Sequence, residues 1–307
     1  MLFCCVVCVL YFVENRLDTF LINTEPDKNI IVVGHRGASK YAPENTIASF
    51  KKALESGANG IECDVIFTHD DIPVIAHDRN LSYLVPLEQR PAIISDMDII
   101  QVKKLDVGSC FSKKYEGEKI PTLREALSFL SGRVDRIYLH DKSQNDYTGL
   151  KKERILIFAK EIRTSNMKDK IIVMVENGDL SLWQKLAPDI QLLQCWISFK
   201  DQRYKYGRIK LKDSFDAGIR HMGVFDNVLA PSPLGSLLNN LGLKRLAQYL
   251  SFLKIKKTVR QYKIKNCDFT VFILNDRSRM ALYLDAGFRA IGTDDPGLLI
   301  SILKTRR

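Results

Sequence analysis

Eight short runs of apolar and β-branched residues alternate with stretches of helical patterning, and no other feature of the chain constrains its fold as tightly. The runs are "NIIVVG" (29–34), "GIECDV" (60–65), "RIYLHDK" (136–142) and "KIIVMV" (170–175), then "IQLLQCW" (190–196), "GIRHMGVF" (218–225), "DFTVFIL" (268–274) and "RAIGT" (289–293). Between them lie helical segments such as "ENTIASFKKALESG" and "RSRMALYLDAG", each closing on a glycine suited to a helix C-terminus. Strand–helix alternation makes successive strands parallel and covers the sheet with helices. Eight repeats predict an α/β fold, a (β/α)8 TIM-type barrel, with an open doubly wound sheet as the competing arrangement. With 307 residues, 46% of them hydrophobic and 27% charged, the chain has enough apolar side chain for one such domain. The expected division is an apolar N-terminal segment and linker over 1–28 and a barrel over 29–307.

Two insertions interrupt the alternation. The first, small, follows strand two: "DDIPVIAHD" reads as a short hairpin, and "EGEKIPTLREALSFL" as a helix with Thr122 at its N-cap and Glu125 three residues on. The second, before the seventh strand, is basic and helical. Leu243, Leu246, Leu250 and Leu253 fall there at helical spacing among Lys244, Arg245, Lys254, Lys256 and Lys257. Residues 200–265 hold 15 Lys and Arg against 4 Asp, so this stretch carries essentially the whole net charge of +10. Such a local excess points to an anionic partner, a membrane surface or a phosphorylated ligand; the leucine stripe is read either as packed on the barrel or as facing lipid. Leucines rather than stacking aromatics are interleaved with the basic residues, so nucleic acid is not an expected partner.

The N-terminal "MLFCCVVCVLYFV" is uncharged for 13 residues before Glu14, short of the roughly 20 residues of a bilayer-spanning helix. It has no basic start or small-residue cleavage site and no polar face. It is read as the tail of a membrane anchor, or else as a buried first helix, and the protein is expected to be membrane-associated. The seven cysteines form no paired CxxC motif and imply neither a zinc site nor a disulfide framework.

Polar residues gather where the predicted strands end. Side chains two apart on a strand share a face, so Glu62 and Asp64 point one way and Ile61, Cys63 and Val65 the other. Two carboxylates side by side in a barrel mouth repel unless a cation joins them, and hard ions such as Mg²⁺ or Ca²⁺ take carboxylate oxygens. His140 and Lys142 likewise share a face, His35 and Arg36 close the first strand, and His77 follows the hairpin. In a barrel all of these sit at the C-terminal face, and their convergence indicates a phosphate-handling site.

The segment "GHRGASKYAPENTIASFKKALESGANGIECDVIFTHDDIPVIAHD" (34–78) resembles the signature of the glycerophosphodiester phosphodiesterase family, with HRG, PENT, GA-x-G-I-E-x-D-V and HD in order. "LDVGS" (105–109), "KIPTLREAL" (119–127) and "ILNDRSRMALYLDAGFRAIGTDDP" (273–296) extend the resemblance. The apolar start and the insertion before the seventh strand look most like the membrane-bound eukaryotic branch. The resemblance implies a metal-dependent phosphodiesterase of lipid metabolism, acting on a glycerophosphodiester or a lysophospholipid-like diester. It implies His35 and His77 as acid and base, Glu62 and Asp64 as metal ligands, Arg36 and Lys142 as phosphate-holding groups, and Glu44 as their support. It also implies substrate contacts at Phe272 and Asn275. In relatives a neighbouring substrate hydroxyl attacks phosphorus to give a cyclic phosphate, which water then opens.

This chain departs from the family pattern at two positions. An acidic metal ligand is usual where His140 stands, and a tryptophan where Phe272 stands. Family resemblance points to Mg²⁺ or Ca²⁺; an imidazole at 140 suits Mn²⁺ or Zn²⁺ better. His140 then ligates an ion itself, or Asp141 beside it takes that place, or the metal is held weakly. The alternative function is a catalytically weakened relative that serves as a binding or regulatory protein at a membrane.

Overall fold

The computed structural model describes residues 30–142, 149–176, 178–195, 211–225, 237, 240–241 and 244–306. Strands β1 (Ile31–His35), β2 (Gly60–Phe67), β4 (Arg136–Asp141), β5 (Ile171–Val175), β6 (Gln191–Gln194), β7 (His221–Phe225), β8 (Asp268–Phe272) and β9 (Ala290–Thr293) correspond to the eight predicted runs. Each pairs in parallel with its neighbour, and β1 pairs with both β9 and β2, closing the barrel. The short β3 (Pro73–Ile75) is the antiparallel arm of the predicted hairpin, with Val65 opposite Ile75.

Helices α1 (Ile47–Glu55), α2 (Ile99–Val102), α3 (Leu123–Leu130), α4 (Lys151–Thr164), α5 (Leu180–Leu186) and α6 (Leu211–Asp216) follow in order. They are succeeded by α7 (Lys244–Lys263), α8 (Arg277–Asp285) and α9 (Pro296–Thr305). Their starts are specified locally. Thr122 and Glu125 form the expected capping box on α3, Thr46 and Ser49 form another on α1, and Asp295 caps α9 ahead of Pro296. Each such cap stabilises its helix by about 1 kcal/mol.

Strand alternation divides the core into two layers. Outward residues such as Ile61, Cys63, Val65, Leu139 and Val173 pack against Phe50, Leu127, Phe158 and Trp183 of the helices. Inward residues Val33, Tyr138, Ile172, Met174, Leu193, Cys195, Phe272 and Ala290 fill the barrel. The first insertion has its own core of Ile66, Val74, Leu81, Val85, Ile94, Leu105 and Ile120. It is thus a packed platform that holds His77 beside the mouth, rather than a loose loop. Gly37, at φ +85°, lets the chain turn sharply after β1; a Cβ there would lie 2.4 Å from the Ser49 hydroxyl oxygen.

The 1–28 segment lies outside the described residues, as do Leu243 and most of the chain between β7 and α7. Among the described residues no helix is long and apolar enough to cross a membrane. On α7 the packed stripe is Phe252, Ile255 and Val259, at helical spacing, whereas Leu250 and Leu253 are exposed. Packing on the barrel is therefore done by a different row from Leu250 and Leu253, the two leucines of the stripe whose side chains are among those described; the Leu246 side chain, like Leu243, lies outside them. The helix meets the core through its aromatic and β-branched face and leaves these two leucines beside exposed Lys254 and Lys257.

Candidate active site

The site forms where β1, β2, β4 and β5 reach the C-terminal mouth of the barrel. Glu62 and Asp64 point inward from β2 and are fully buried. Asp64 is in register with His140 on β4; His140 Nδ1 lies 3.4 Å from Asp64 Oδ1, and Lys142 Nζ lies 3.7 Å from the same oxygen. The loop after β1 wraps this pair with two residues in the left-handed region, Arg36 at φ 53° and Asn45 at φ 58°. That backbone strain aims groups inward. The Arg36 N–H donates to Glu62 Oε2 at 3.0 Å, and Asn45 Nδ2 donates to Asp64 Oδ2 at 3.0 Å. The Arg36 guanidinium is gripped by both oxygens of Glu44, at 2.9 and 3.0 Å, with its Nε 3.3 Å from Asp64.

Each histidine leans on a carboxylate. His35 Nδ1 is 2.7 Å from Asp294 Oδ1, and Asp294 also accepts from Ser39 Oγ at 2.8 Å and Asn275 Nδ2 at 2.6 Å. His77 Nδ1 is 2.9 Å from Asp78 Oδ1, and the Tyr83 hydroxyl donates to Asp78 Oδ2 at 2.8 Å. An ionised carboxylate only accepts, so both rings carry a proton on Nδ1, and Nε2 of each is the nitrogen available for chemistry.

The environments of the two rings push them apart. Burial lowers the His35 pKa, but the Asp294 hydrogen bond and the Glu62 charge outweigh it and raise the pKa above the usual value of 6.5. Burial dominates at His77, where Arg36 and Lys142 add to it and bring the pKa below 6.5. Burial would raise the Asp64 carboxyl, yet the hydrogen bond and charge of His140, with Lys142 and Arg36, hold it well below the carboxylate range. Glu62 goes the other way, raised by burial and by the Asp64 charge.

Glu62, Asp64 and His140 each place a ligand atom within 4.8 Å of the others, and all three residues are buried. His140 Nε2 is buried without a hydrogen bond. Two carboxylates and an imidazole whose Nδ1 faces Asp64 fit a divalent cation, so this group could hold one.

The structure thus brings together His35, Arg36, Glu44, Glu62, Asp64, His77, His140 and Lys142. Asn275 joins behind His35 through Asp294. Phe272 does not stand at the mouth: it is 1% exposed, meets Tyr138 edge-to-face at 5.6 Å, and fills the barrel below the charged layer. The parity of β8 turns it inward, and Gly292, where a Cβ would lie 2.6 Å from its ring, makes room for it. Asp141 cannot take the place of His140, because strand alternation points it outward, where it accepts from Trp183 Nε1 at 2.7 Å.

Four residues were not foreseen as parts of the site. Asp294 and Asp78 anchor the histidines, Asn45 braces Asp64, and Glu176 Oε1 lies 3.3 Å from His140 Nε2. The signal for the first two was a carboxylate just past a strand, in "GTDDP" and "AHD". For Glu176 it was strand parity: two residues beyond inward Met174, it continues the inward row.

The chain matches the glycerophosphoryl diester phosphodiesterase family over residues 35–298. It is 36% identical over 170 residues to the glycerophosphodiester phosphodiesterase of Caldanaerobacter subterraneus, a match covering 54% of this chain and 67% of that protein. It is 38% identical over 106 residues to human glycerophosphodiester phosphodiesterase 1, covering 34% of this chain and 31% of the human one. Among solved structures, a phosphodiesterase from Oleispira antarctica in complex with the product sn-glycerol-3-phosphate superposes with a TM-score of 0.66 at 23% identity, over 89% of this chain and 96% of that one. A glycerophosphodiester phosphodiesterase from Parabacteroides distasonis superposes at 0.65 and 20% identity, over 91% and 98%. A catalytic-face constellation on a closed barrel, joined to a match spanning most of the sequence, leads to one statement of kinship: the chain belongs to the glycerophosphoryl diester phosphodiesterase family.

Proposed function

We propose that this phosphoric diester hydrolase cleaves a glycerophosphodiester, or a lysophospholipid-like diester, to an alcohol and a glycerol phosphate, with His77 as base and His35 as acid. The observation that carries this reading is the carboxylate anchor behind each ring, which frees both Nε2 atoms, while the surroundings of the rings set them apart: Asp294 and Glu62 raise the His35 pKa against its burial, and burial with Arg36 and Lys142 lowers that of His77 in spite of Asp78. The substrate phosphate binds against Arg36 and Lys142. His77 Nε2 takes the proton of the glycerol hydroxyl adjacent to the diester, and that oxygen attacks phosphorus. His35 Nε2 donates its proton to the departing alcohol, leaving a cyclic phosphate. Neutral His35 then accepts a proton from water as water attacks the ring, and protonated His77 returns one to the opening ester oxygen. Both residues end as they began. A divalent ion held by Glu62, Asp64 and His140 would supply positive charge to the phosphoryl oxygens. Mg²⁺ and Ca²⁺ suit the two carboxylates, and Mn²⁺ or Zn²⁺ the imidazole.

The test is hydrolysis of glycerophosphoethanolamine and of a lysophospholipid by metal-stripped protein, followed by ³¹P NMR with Mg²⁺, Ca²⁺, Mn²⁺ or Zn²⁺ restored in turn. The reading expects a phosphomonoester signal that appears on restoring an ion; no turnover with any ion contradicts it.

The second part of the proposal is association with an anionic membrane surface through α7. Leu250 and Leu253 are exposed beside Lys254, Lys257 and Arg260, a combination that places apolar side chains and positive charge on the same outer region. The apolar 1–13 stretch would act in the same direction.

A further inference from the structure

The His140 ring sits between carboxylates from the two strands that flank β4. Its Nδ1 lies 3.4 Å from Asp64 Oδ1 on β2, and its Nε2 lies 3.3 Å from Glu176 Oε1, one residue past the end of β5. Register explains the second neighbour: His140 pairs with Met174, and Glu176 is two residues further along the same inward row. The ring is 5% exposed, and Nε2 makes no hydrogen bond although the carboxylate is so close. A buried ring nitrogen without an acceptor is costly, and Glu176 Oε1, at 3.3 Å, is the carboxylate oxygen facing it. The Nδ1–Asp64 separation is close to the roughly 3 Å between adjacent donor atoms that share one divalent ion at about 2.1–2.2 Å.

We propose that Glu176 is the positioning residue of the metal site. It accepts the Nε2 proton of His140, fixes the tautomer that presents Nδ1 to an ion shared with Glu62 and Asp64, and raises the basicity of that ligand. It also brings a third carboxylate to the site, offsetting the neutral imidazole among the ligands. A site of two carboxylates and one carboxylate-backed imidazole selects a borderline cation, Mn²⁺ or Zn²⁺, over the oxygen-seeking Mg²⁺ and Ca²⁺. This rests on the reading of Glu62, Asp64 and His140 as a metal site.

Isothermal titration calorimetry of Mn²⁺ and Mg²⁺ into the metal-stripped full chain tests it, with Glu176→Ala, Glu176→Gln, Glu176→Asp and Asp64→Asn compared with wild type. Glu176→Ala should weaken Mn²⁺ binding about 10- to 100-fold and narrow the Mn²⁺ preference over Mg²⁺. Glu176→Gln should fall between, since it accepts a hydrogen bond without the charge, and Glu176→Asp should restore part of the loss. Thermal unfolding without metal checks that each variant folds; if Glu176→Ala does not, the isosteric Glu176→Gln decides. Wild-type Mn²⁺ affinity in the Glu176→Gln and Glu176→Ala proteins, with binding lost in Asp64→Asn, overturns the role of Glu176 alone. Absence of binding to wild type, or full binding to Asp64→Asn, overturns the metal site and this role with it.

Discussion

Along β1, β2, β4 and β5 the inward row ends in His35, in Glu62 and Asp64, in His140 with Lys142, and in Glu176; along β6 to β9 it is Leu193, Cys195, Gly223, Phe272 and Ala290. Thr270 is a polar residue within that far row and donates to the Tyr138 hydroxyl at 3.3 Å, and just past β8 and β9 Asn275 and Asp294 reach the site behind His35. The difference follows from electrostatics. Buried carboxylates are tolerable only within a few ångströms of cations and donors, so Arg36, Lys142, His140 and Asn45 must crowd the same half. The far half, freed from that demand, is packed for stability, with Phe272 edge-to-face on Tyr138 and glycines opposite the bulky groups. Outside that half lies α7, where exposed leucines meet positive charge. One barrel thus gathers the candidate metal ligands on β2 and β4, above apolar filling drawn from both halves, while the far half reaches the site through Asn275 and Asp294 just past β8 and β9.

Substitutions on the two sides should differ in kind. The largest effect is expected from His35→Ala and His77→Ala, each lowering kcat/KM by about 10²- to 10⁴-fold with little change in urea midpoint, because a proton-transfer group is lost and no core volume. Steady-state kinetics beside urea unfolding measures both, and near-wild-type turnover in either variant breaks the assignment. Phe272→Ala should do the reverse, costing about 3–5 kcal/mol of stability while leaving KM nearly unchanged. A KM rise without destabilisation would restore Phe272 to the substrate wall. The smallest effect belongs to the outer surface: Lys254→Gln with Lys257→Gln should weaken binding to phosphatidylserine vesicles by about 1 kcal/mol for each charge, in low salt, without altering turnover of a soluble substrate. Unchanged vesicle co-sedimentation would make α7 a packing helix only.

Much of this separation could be read from the sequence. The eight strands lie within a few residues of their apolar runs, because β-branched residues bounded by glycine and polar turns leave little choice. The inward pairing of Glu62 with Asp64, and of His140 with Lys142, followed from period-two alternation and is seen in the distances to Asp64 Oδ1. What sequence could not supply was contact made by barrel closure. His35 and Asp294 are 259 residues apart and meet because β1 pairs with β9. Nor could helical spacing choose a face on α7, where apolar residues occur on more than one side and the Phe252–Ile255–Val259 row packs inward. The resemblance marked Phe272 as an aromatic substrate contact in place of a tryptophan, but its depth below the charged layer depends on Gly292 opposite it.

The central claim, that the charged half works through a neutral His77 and a protonated His35, is tested most directly by the pH dependence of kcat/KM in wild type and Asp294→Asn. A base must lose its proton, so activity should rise with pH through a His77 pKa below 6.5; an acid must keep its proton, so activity should fall through a His35 pKa above 6.5. Asp294→Asn removes the carboxylate that raises His35, and the account predicts that the alkaline limb moves to lower pH while the acid limb stays. An alkaline limb that does not move, or an acid limb that moves in its place, would contradict it.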